Sequence, residues 1–240
     1  MDASRKIGKI LADPVSAATR AWRKLFVEPR RYAADDQGYD ARRYWSDRLG
    51  RYEGSLRGPG DEGLSDARNQ AEYKAAAGQF QSLCAQLPVD YSTVSALEIG
   101  PGTGFYTDLL AQRGVSHYVG IDIAGANLTT LRDRFSGYRF LQGDAAERVV
   151  SAQFDLVVMI DVIEHIVSRQ RLGEVFSAID QCLRPGGVLL LAPIMPVSRR
   201  HLFYVHFWSE EDVRVCTPSY WWVARTDFRE GELVALEKAA

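Results

Sequence analysis

The stretch from Leu97 to Gly104, Leu-Glu-Ile-Gly-Pro-Gly-Thr-Gly, guides the interpretation of this 240-residue chain. It overlaps a short apolar run, Val94 to Ile99, and is followed by Phe105 to Leu110, where apolar residues take helical spacing. The pattern predicts a buried parallel strand that turns sharply into a helix at three alternating glycines. Because glycine has no Cβ, a ligand can approach the main chain closely, and the free N–H groups of the helix start face it. We therefore expect a nucleotide site at the carboxyl end of this strand.

Length, composition and charge narrow the class of protein. The length allows one α/β domain with a decoration, or two small domains. The formal net charge of −2 gives no general attraction to DNA or RNA, so no nucleic-acid partner is expected. Cys84, Cys182 and Cys216 are odd in number and widely separated, which favours a reducing compartment and no structural metal. The longest apolar runs are strand-sized and the first residues lack a signal-peptide segment, so a cytoplasmic protein is expected.

From Val94 onward, strands and helices alternate with short connections, as a parallel sheet with right-handed crossovers requires. Apolar runs predict five strands: Val94–Ile99, Ser116–Ile123, Tyr138–Leu141, Phe154–Ile160 and Val188–Ala192. Helical spacing predicts helices over Ala126–Phe135 and Arg169–Leu183, the second closed by the stop signal Arg184-Pro185-Gly186-Gly187. The alternation indicates a doubly wound α/β sheet.

Beyond Pro193 the pattern changes. Ser209 is placed to cap a short helix that has acids in its first turn. Tyr220–Thr226 and Glu232–Leu236 have strand character and are joined by a tight connection. The sequence therefore predicts a terminal β-hairpin after the five parallel strands.

Residues 1–70 differ from the rest in being rich in Arg, Asp, Gly and Tyr without long apolar runs. Helical spacing is shared by Val15, Ala18, Ala21, Trp22, Leu25 and Phe26, with Arg20, Arg23 and Lys24 on other faces. Such a basic amphipathic helix suits contact with an anionic membrane surface, but we favour a helix packed on its own domain or on a partner subunit.

The aromatic cluster Tyr39–Trp45 forms either a lid over the ligand cleft or an ordinary docking contact. Residues 54–63 are expected to be a loop, and Asn69–Leu87 a helix that covers the sheet.

The glycine spacing excludes two common nucleotide motifs. Glu98-x-Gly100-x-Gly102-x-Gly104 is neither the dinucleotide-binding Gly-x-Gly-x-x-Gly nor a P-loop. It resembles the first motif of class I S-adenosylmethionine-dependent methyltransferases. The segment from Asp161 to His165 closely resembles the Asp/Glu-x-x-Glu-His of quinone-biosynthesis and related small-molecule methyltransferases. With Arg184-Pro185-Gly186-Gly187 before the fifth strand, these motifs follow one another in the family's order.

The resemblance implies S-adenosyl-L-methionine as the cofactor and assigns residues to its parts. Asp122 would accept from the ribose hydroxyls, although an acid there also caps the turn ahead of Ala124. Asp144 would accept from the adenine amino group while the backbone N–H of Ala145 meets a ring nitrogen, and a turn-forming Gly-Asp is the alternative. Ile123 would lie against the adenine face or in the core. The remaining cofactor positions are Glu98, Gly100, Gly102, Gly104 and Asp161, with Glu98 beneath the glycine loop near the methionine end.

The reaction centre is less defined by the sequence. His165 is the candidate general base, although it serves equally to fix the first turn of the following helix. Loops after the fifth strand usually frame the acceptor in this family, which makes His201, His206 and Trp208 candidate substrate residues, with packing under the hairpin as the alternative. Two histidines five apart with no acid placed for a third ligand do not indicate a metal.

The resulting expectation is a class I methyltransferase with a Rossmann-like, seven-stranded, mostly parallel sheet, a C-terminal antiparallel hairpin and an N-terminal helical cap. Residues 1–70 form the cap and residues 71–240 the methyltransferase domain, in a monomer or homodimer. The expected reaction is methyl transfer to oxygen or nitrogen of a small metabolite or a glycan or lipid precursor. The alternative is a non-catalytic subunit of this fold that binds a partner. A nicotinamide-dependent oxidoreductase is disfavoured by the glycine spacing and Asp144.

Overall fold

A computed structural model describes residues 14–34, 38–147 and 150–240. Its strands in chain order are β1 (Ser95–Ile99), β2 (His117–Asp122), β3 (Arg139–Gln142), β4 (Phe154–Ile160), β5 (Leu183–Ile194), β6 (Arg199–Leu202), β7 (Val205–Phe207), β8 (Tyr220–Phe228) and β9 (Gly231–Lys238). Seven of them form one sheet in the order β3-β2-β1-β4-β5-β9-β8. Strands β1 to β5 are parallel, and β9 runs antiparallel between β5 and β8. The predicted sheet and terminal hairpin are confirmed.

The helices flank this sheet and precede it. They are α1 (Pro14–Trp22), a π-helical turn (Arg23–Val27), α2 (Glu28–Arg31), α3 (Ala41–Arg51), α4 (Asp66–Cys84), α5 (Phe105–Gln112), α6 (Leu128–Arg134), a 3-10 turn (Ile163–His165), α7 (Arg169–Cys182) and α8 (Glu210–Cys216). Side-chain caps start four of them: the side chains of Asp40, Ser65, Ser168 and Ser209 each accept a backbone N–H of the first turn. Helix α4 runs continuously through the boundary expected between residues 70 and 71.

Two apolar layers sandwich the sheet. On one side, α4 and α5 contribute Phe80, Leu83 and Leu110, all fully buried. On the other, α7 and α8 contribute Leu172 and Val213. Strand β4 is an almost unbroken apolar run because its alternate side chains enter both layers. The apolar area removed from water by these layers drives folding.

A third apolar cluster joins the N-terminal segment to the β6–β7 ribbon. It consists of buried Tyr32, Tyr39, Tyr44, Val167, Tyr204 and Val205. The buried guanidinium of Arg48 donates to the Tyr44 and Tyr204 hydroxyls and to the Gly60 carbonyl. Residues that lie far apart in sequence are thereby fixed beside the carboxyl end of β4.

Two features differ from the sequence expectation. Arg184–Gly187 was expected to be a loop that ends α7, but β5 begins at Leu183, which already pairs with Phe154. A Cβ on Gly187 would lie 2.8 Å from the Arg184 carbonyl oxygen, so glycine permits this irregular start of the strand. The β6–β7 ribbon was not predicted because its strands are short and mix charged with aromatic residues.

Candidate functional site

A cleft opens at the carboxyl ends of β1 to β4. In a doubly wound sheet, ligands bind at this edge. The sheet, α7 and the segments between them supply Ile99, Gly100, Gly102, Ile121, Asp122, Ile123, Gly143, Asp144, Ala145, Asp161, Val162, His165, Ile166, Val167, Arg171 and Val175. The N-terminal segment supplies the opposite wall: Tyr39, Ala41, Trp45, Leu49 and Pro59. The structure thus brings most of the predicted cofactor residues to one cavity.

The three glycines after β1 all have positive φ angles, 73°, 56° and 79°. Gly100 and Gly102 line the cleft, whereas Gly104 does not. A Cβ on Gly102 would come no nearer than 3.6 Å to another atom, the Cβ of Pro59 across the cleft. A Cβ on Gly104 would instead lie 2.5 Å from Leu131 of α6. The position of Gly102 therefore favours glycine through its positive φ at the border of the cleft, where a Cβ would contact Pro59, while Gly104 allows close packing of helices.

Asp122, at the end of β2, holds the glycine loop. Its Oδ2 accepts from the Gly102 N–H at 3.0 Å and its Oδ1 from the Ala124 N–H at 2.8 Å. Burial raises the pKa of this carboxyl to about 6, although both N–H groups favour the charged form. Each carboxylate oxygen keeps a second lone pair for another donor. Asp122 thus caps the turn ahead of Ala124 and lines the cleft, and its binding to the ribose hydroxyls stays a prediction.

Asp144, after β3, is paired with a cation that the sequence motifs did not identify. Its Oδ2 forms an ion pair with Arg171 of α7, and its Oδ1 accepts from the Ala146 N–H at 3.1 Å. Arg171 also donates to Glu174 at 2.7 Å. Arg171 lines the cleft and fixes the direction of the Asp144 carboxylate. Arg171 lies in the first turn of α7. No local sequence motif marks it, because only the fold brings it to Asp144.

Asp161, directly after β4, has a φ of 58°, which is unusual for a residue other than glycine. Arg229, from the β8–β9 turn, donates to both of its oxygens at 2.8 and 2.6 Å. The Tyr106 hydroxyl donates to the same carboxylate at 3.3 Å. This bidentate pair ties the C-terminal hairpin to the floor of the cleft. The sequence placed Arg229 in a turn but gave no sign that the turn reaches β4.

Glu98 is buried beneath the glycine loop, as expected, but it does not line the cleft. Its Oε2 accepts from the Thr107 hydroxyl at 2.7 Å and from the Tyr118 hydroxyl at 2.6 Å. Burial raises the pKa of this carboxyl to about 7. Glu98 therefore acts on the loop from below by joining β1 to α5 and β2.

His165 lines the cleft and has a defined tautomer. Its Nδ1 lies 3.0 Å from the Tyr204 carbonyl oxygen, which only accepts, so Nδ1 carries the proton and Nε2 is left as an acceptor. Burial lowers the pKa of the imidazole to about 3, and its ring packs against Trp45 with centroids 4.6 Å apart. A neutral His165 can orient a donor in the cleft, but it binds a proton weakly at neutral pH.

Glu164, the glutamate of the Asp161–His165 motif, was given no role by the sequence; it is half-buried. Its Oε2 has no hydrogen-bond partner among the described residues. Burial, followed by repulsion from Asp161, raises the pKa of this carboxyl to about 8. The Glu164 carboxyl therefore holds its proton more tightly than an ordinary glutamate does, beside the Asp161–Arg229 ion pair.

The three candidate substrate residues after β5 lie away from the cleft lining. Trp208 is only 1% exposed, packs in the core and donates to the Ile166 carbonyl at 2.8 Å. His206 stacks on Trp208 and lies 3.1 Å from the Ser198 hydroxyl. His201 stacks on Phe207. Their contacts match the packing alternative, and the aromatic wall of the cleft comes instead from the N-terminal segment.

That wall is held by a short relay of hydrogen bonds. The Trp45 indole N–H donates to the Tyr39 hydroxyl at 3.2 Å, which donates to the His165 carbonyl at 3.1 Å. The aromatic cluster expected to be a lid or a docking contact therefore forms one side of the cavity through a docked contact with the segment after β4.

Comparison with known proteins gives a consistent family signal. Residues 97–191 match the family model described as a methyltransferase domain. A ubiquinone biosynthesis O-methyltransferase of Pseudomonas paraeruginosa is 30% identical over 117 residues, which are 46% of this chain and 49% of that protein. A trans-aconitate 2-methyltransferase of Acidovorax is 32% identical over 94 residues, 39% of this chain and 35% of that protein. The chain thus spans about half the length of the ubiquinone-biosynthesis relative and about a third of the trans-aconitate relative.

Solved structures share the fold at low sequence identity. An amino pentose methyltransferase of Micromonospora echinaspora, solved with S-adenosylmethionine bound, is 18% identical with a TM-score of 0.57. The match covers 70% of this chain and 91% of that chain. The N-methyltransferase NodS of Bradyrhizobium japonicum is 18% identical with a TM-score of 0.56, covering 72% and 98%. The region left unmatched in this chain is therefore larger than in either neighbour.

Proposed function

We propose that this chain, which carries a class I S-adenosylmethionine-dependent methyltransferase domain, transfers a methyl group to oxygen or nitrogen of a small-molecule acceptor. The observation that carries the proposal is the convergence of Gly102, Asp122 and Asp144 on one cleft. Three successive strands deliver these groups to the same edge of the sheet.

The residues of the cleft fit S-adenosylmethionine. The two hydroxyls of the ribose suit Asp122. Hydrogen bonds from them would stabilise the charged carboxylate and so offset the effect of burial, which raises the pKa of this carboxyl. Ile99, Ile121 and Ile123 provide apolar contact for a planar base. Asp144, directed by Arg171, would accept from the adenine amino group, and the Ala145 N–H would donate to the ring. Gly100 and Gly102 would admit the amino-acid tail, with Glu98 supporting them from below and Asp161 at the far side.

When bound, this cofactor supplies a methyl group already activated by a sulfonium. The chain itself must align the acceptor and exclude water, since proximity provides much of the acceleration. Trp45 and Tyr39 close the cleft opposite the sheet, and His165 Nε2 is placed to accept the hydrogen of the attacking hydroxyl or amine. Because the pKa of His165 is about 3, its contribution is orientation first and proton removal second.

The same proposal covers the domain organisation, the oligomeric state and the cellular location of the protein. Residues 1–70 act as a cap that completes the cavity, and residues 71–240 provide the catalytic fold, in a monomer or homodimer. The three cysteines form no disulfide, and Cys84 and Cys182 are buried, which suits work in the reducing cytoplasm. The alternative of a non-catalytic partner-binding subunit has the same fold but needs no affinity for the cofactor.

Isothermal titration of the full chain with S-adenosylhomocysteine separates these two functions. We expect binding by the wild type and at least about tenfold weaker binding by Asp122→Ala, since a charged hydrogen bond to the ribose is lost. The exposed Asp133→Ala on α6 is the matched control and should bind as the wild type does. Absence of binding by the wild type would favour the partner-binding subunit.

If the titration shows cofactor binding, a second experiment identifies the methyl acceptor. Release of S-adenosylhomocysteine from S-adenosylmethionine is then measured with panels of phenols, carboxylic acids, sugars and amines. We expect turnover with one class above the rate without acceptor. A chain that binds cofactor but methylates none of these classes would contradict the proposed small-molecule reaction.

A further inference from the structure

The helix that begins at Pro14 turns its polar side toward its own domain. Arg23 donates to Glu62 at 2.7 Å and lies 2.8 Å from Glu28, and Lys24 lies 3.2 Å from Glu62. Lys24 also donates to the Tyr204 hydroxyl at 2.9 Å. The Glu62 side chain is only 3% exposed, so these ion pairs are the means by which the helix docks. Charged pairs in such partly buried settings fix geometry as well as contribute energy.

The apolar side of the same helix faces outward. Trp22 is 60% exposed, Leu25 58% and Phe26 53%, and Val15 lies on the same stretch at 76%. These are four of the eight large exposed hydrophobic side chains found among the described residues. The sequence led us to favour a helix packed on its own domain or on a partner subunit. Among the described residues, none covers the apolar side of this helix.

The charges exposed around this stripe are mostly positive. In residues 14–34 and 38–51 the exposed charged residues are Arg30, Arg31, Arg42, Arg43 and Arg51, whereas the acids Asp40 and Asp47 are half-exposed and Asp47 pairs with Arg31 at 2.9 Å. Arg30 donates to the Phe26 carbonyl, and Arg43 donates to the Arg31 carbonyl, so three of these guanidinium groups lie at the C-terminal end of the apolar stripe. An exposed apolar stripe with flanking arginines complements a surface that is apolar inside and anionic outside.

We propose that the face formed by Val15, Trp22, Leu25 and Phe26, together with Arg30, Arg31 and Arg43, docks the protein on an anionic lipid bilayer. A second copy of this chain fits less well, because a two-fold contact through this face would bring the same arginines together. Tryptophan and phenylalanine enter the headgroup region while arginine pairs with lipid phosphate. This inference does not depend on the methyl-transfer reaction.

No helix among the described residues has the length and apolarity that a membrane span requires. The helix also lies close to the cleft, because Lys24 bonds the hydroxyl of Tyr204, whose carbonyl holds His165. A bilayer bound at this face would therefore lie near the N-terminal wall of the cavity.

Vesicle sedimentation of the full chain tests the proposal. Vesicles of phosphatidylcholine alone are compared with vesicles that also contain phosphatidylglycerol. We expect binding to the anionic vesicles only, weakened by added salt because the arginine contribution is screened. Trp22→Ser with Phe26→Ser should weaken binding at least about tenfold, and Arg30→Gln with Arg43→Gln should remove most of the salt dependence.

The control removes equal exposed apolar area elsewhere. Trp221→Ser with Val215→Ser changes two side chains that are 68% and 72% exposed on β8 and α8, and should bind vesicles as the wild type does. All variants should keep the wild-type melting temperature, because every substituted position is on the surface.

Three results would overturn the proposal. The first is equal binding to neutral and anionic vesicles, and the second is an equal loss in the β8–α8 control. The third is absence of vesicle binding together with a dimer in sedimentation velocity that Trp22→Ser with Phe26→Ser dissociates, which would identify a second copy as the occupant.

Discussion

The two walls of the cleft are built in different ways. On the sheet side, Asp122 bonds the backbone of Gly102 and Ala124, groups that adjoining parallel strands and one turn bring to it. On the opposite side, Tyr39 bonds His165 across 126 residues of sequence, and Lys24 bonds Tyr204 across 180. The first wall thus follows from the sheet, whereas the second exists only when separate segments dock.

This difference implies a division of labour. Backbone N–H groups and carboxylates on the sheet side suit a cofactor whose shape is constant. Residues of the docked aromatic wall can change without disturbing the sheet. Segments carried by a rigid scaffold commonly determine substrate specificity. Changes on the sheet side should therefore abolish cofactor binding, and changes in the docked wall should leave it intact.

Gly102→Val gives the largest expected effect. Valine at a φ of 56° is strained, and its branches would enter the space between the loop and Pro59. The strained backbone lowers the stability of the free and the bound protein alike, whereas the valine branches occupy space that the ligand needs over the loop, so S-adenosylhomocysteine should bind at least about 100-fold more weakly in calorimetry. Gly137→Val is the control, since a Cβ at that position meets no atom within 4 Å. Retained affinity in Gly102→Val would show that the loop is not the ligand cradle.

Arg229→Ala tests whether the hairpin turn supports the cleft floor. It leaves Asp161 without its bidentate partner, and we expect the free energy of unfolding to fall by about 2 kcal/mol in urea denaturation. Arg225→Ala removes an exposed arginine of the same hairpin, paired with Glu210 and Glu232, and should cost less than about 1 kcal/mol. Equal losses would mean that the Asp161–Arg229 pair has no special weight.

The pH dependence of stability sharpens the comparison through Glu164. Its folded pKa, about 8, lies above the ordinary value for a glutamate, so the native state retains a proton that the unfolded state has lost. The contribution of Glu164 is therefore lost as the pH rises from the ordinary glutamate value of 4.5 to about 8, with a slope of at most about 1.4 kcal/mol per pH unit. His165, whose folded pKa is near 3 against an ordinary value of 6.5, acts in the opposite direction between those two values, so the net fall is clearest above about pH 6.5.

Glu164→Gln should flatten this slope in denaturation curves taken at several pH values. Glu98, whose pKa is raised to about 7, accounts for part of the remaining slope at the lower end. The exposed Glu53→Gln is the control and should leave the slope unchanged. The same slope in Glu164→Gln and the wild type would show that the Glu164 carboxyl is ionised in the native protein.

His165→Ala is expected to have the smallest effect on the cofactor. It removes a ring that packs on Trp45 and bonds Tyr204, but no contact to the glycine loop. Affinity for S-adenosylhomocysteine should stay within about threefold of the wild type, since distant sites behave independently. Turnover with an accepted substrate should fall. A large loss of cofactor affinity in the same variant would contradict the independence of the two walls.

The sequence predicted the sheet wall better than the docked wall, for a physical reason. Strand order, the glycine turn and the carboxylates at strand ends are set by local patterns and by the topology of parallel sheets. Arg171 and Arg229 have no local pattern, because their partners Asp144 and Asp161 meet them only after folding. Trp208 illustrates the reverse, since an aromatic residue in a predicted loop is buried in the core.

The N-terminal helix shows the limit of amphipathic patterns. Periodicity identified the apolar stripe of Trp22, Leu25 and Phe26 but could not tell which side faces the domain. Buried Glu62, some 40 residues later, attracts Arg23 and Lys24 and so sets the orientation. The ion pairs with Glu62 therefore hold the polar side of the helix against the domain, which is opposite to the orientation that hydrophobicity alone favours.

A crystal structure of the protein with S-adenosylhomocysteine tests the central claim most directly. The account expects the ribose hydroxyls on Asp122, the adenine beside Asp144 and Ala145, and the amino-acid tail over Gly100 and Gly102, with the sulfur facing the wall of Tyr39 and Trp45. A nucleoside found in another part of the molecule, or a glycine loop closed by its own side chains, would contradict it.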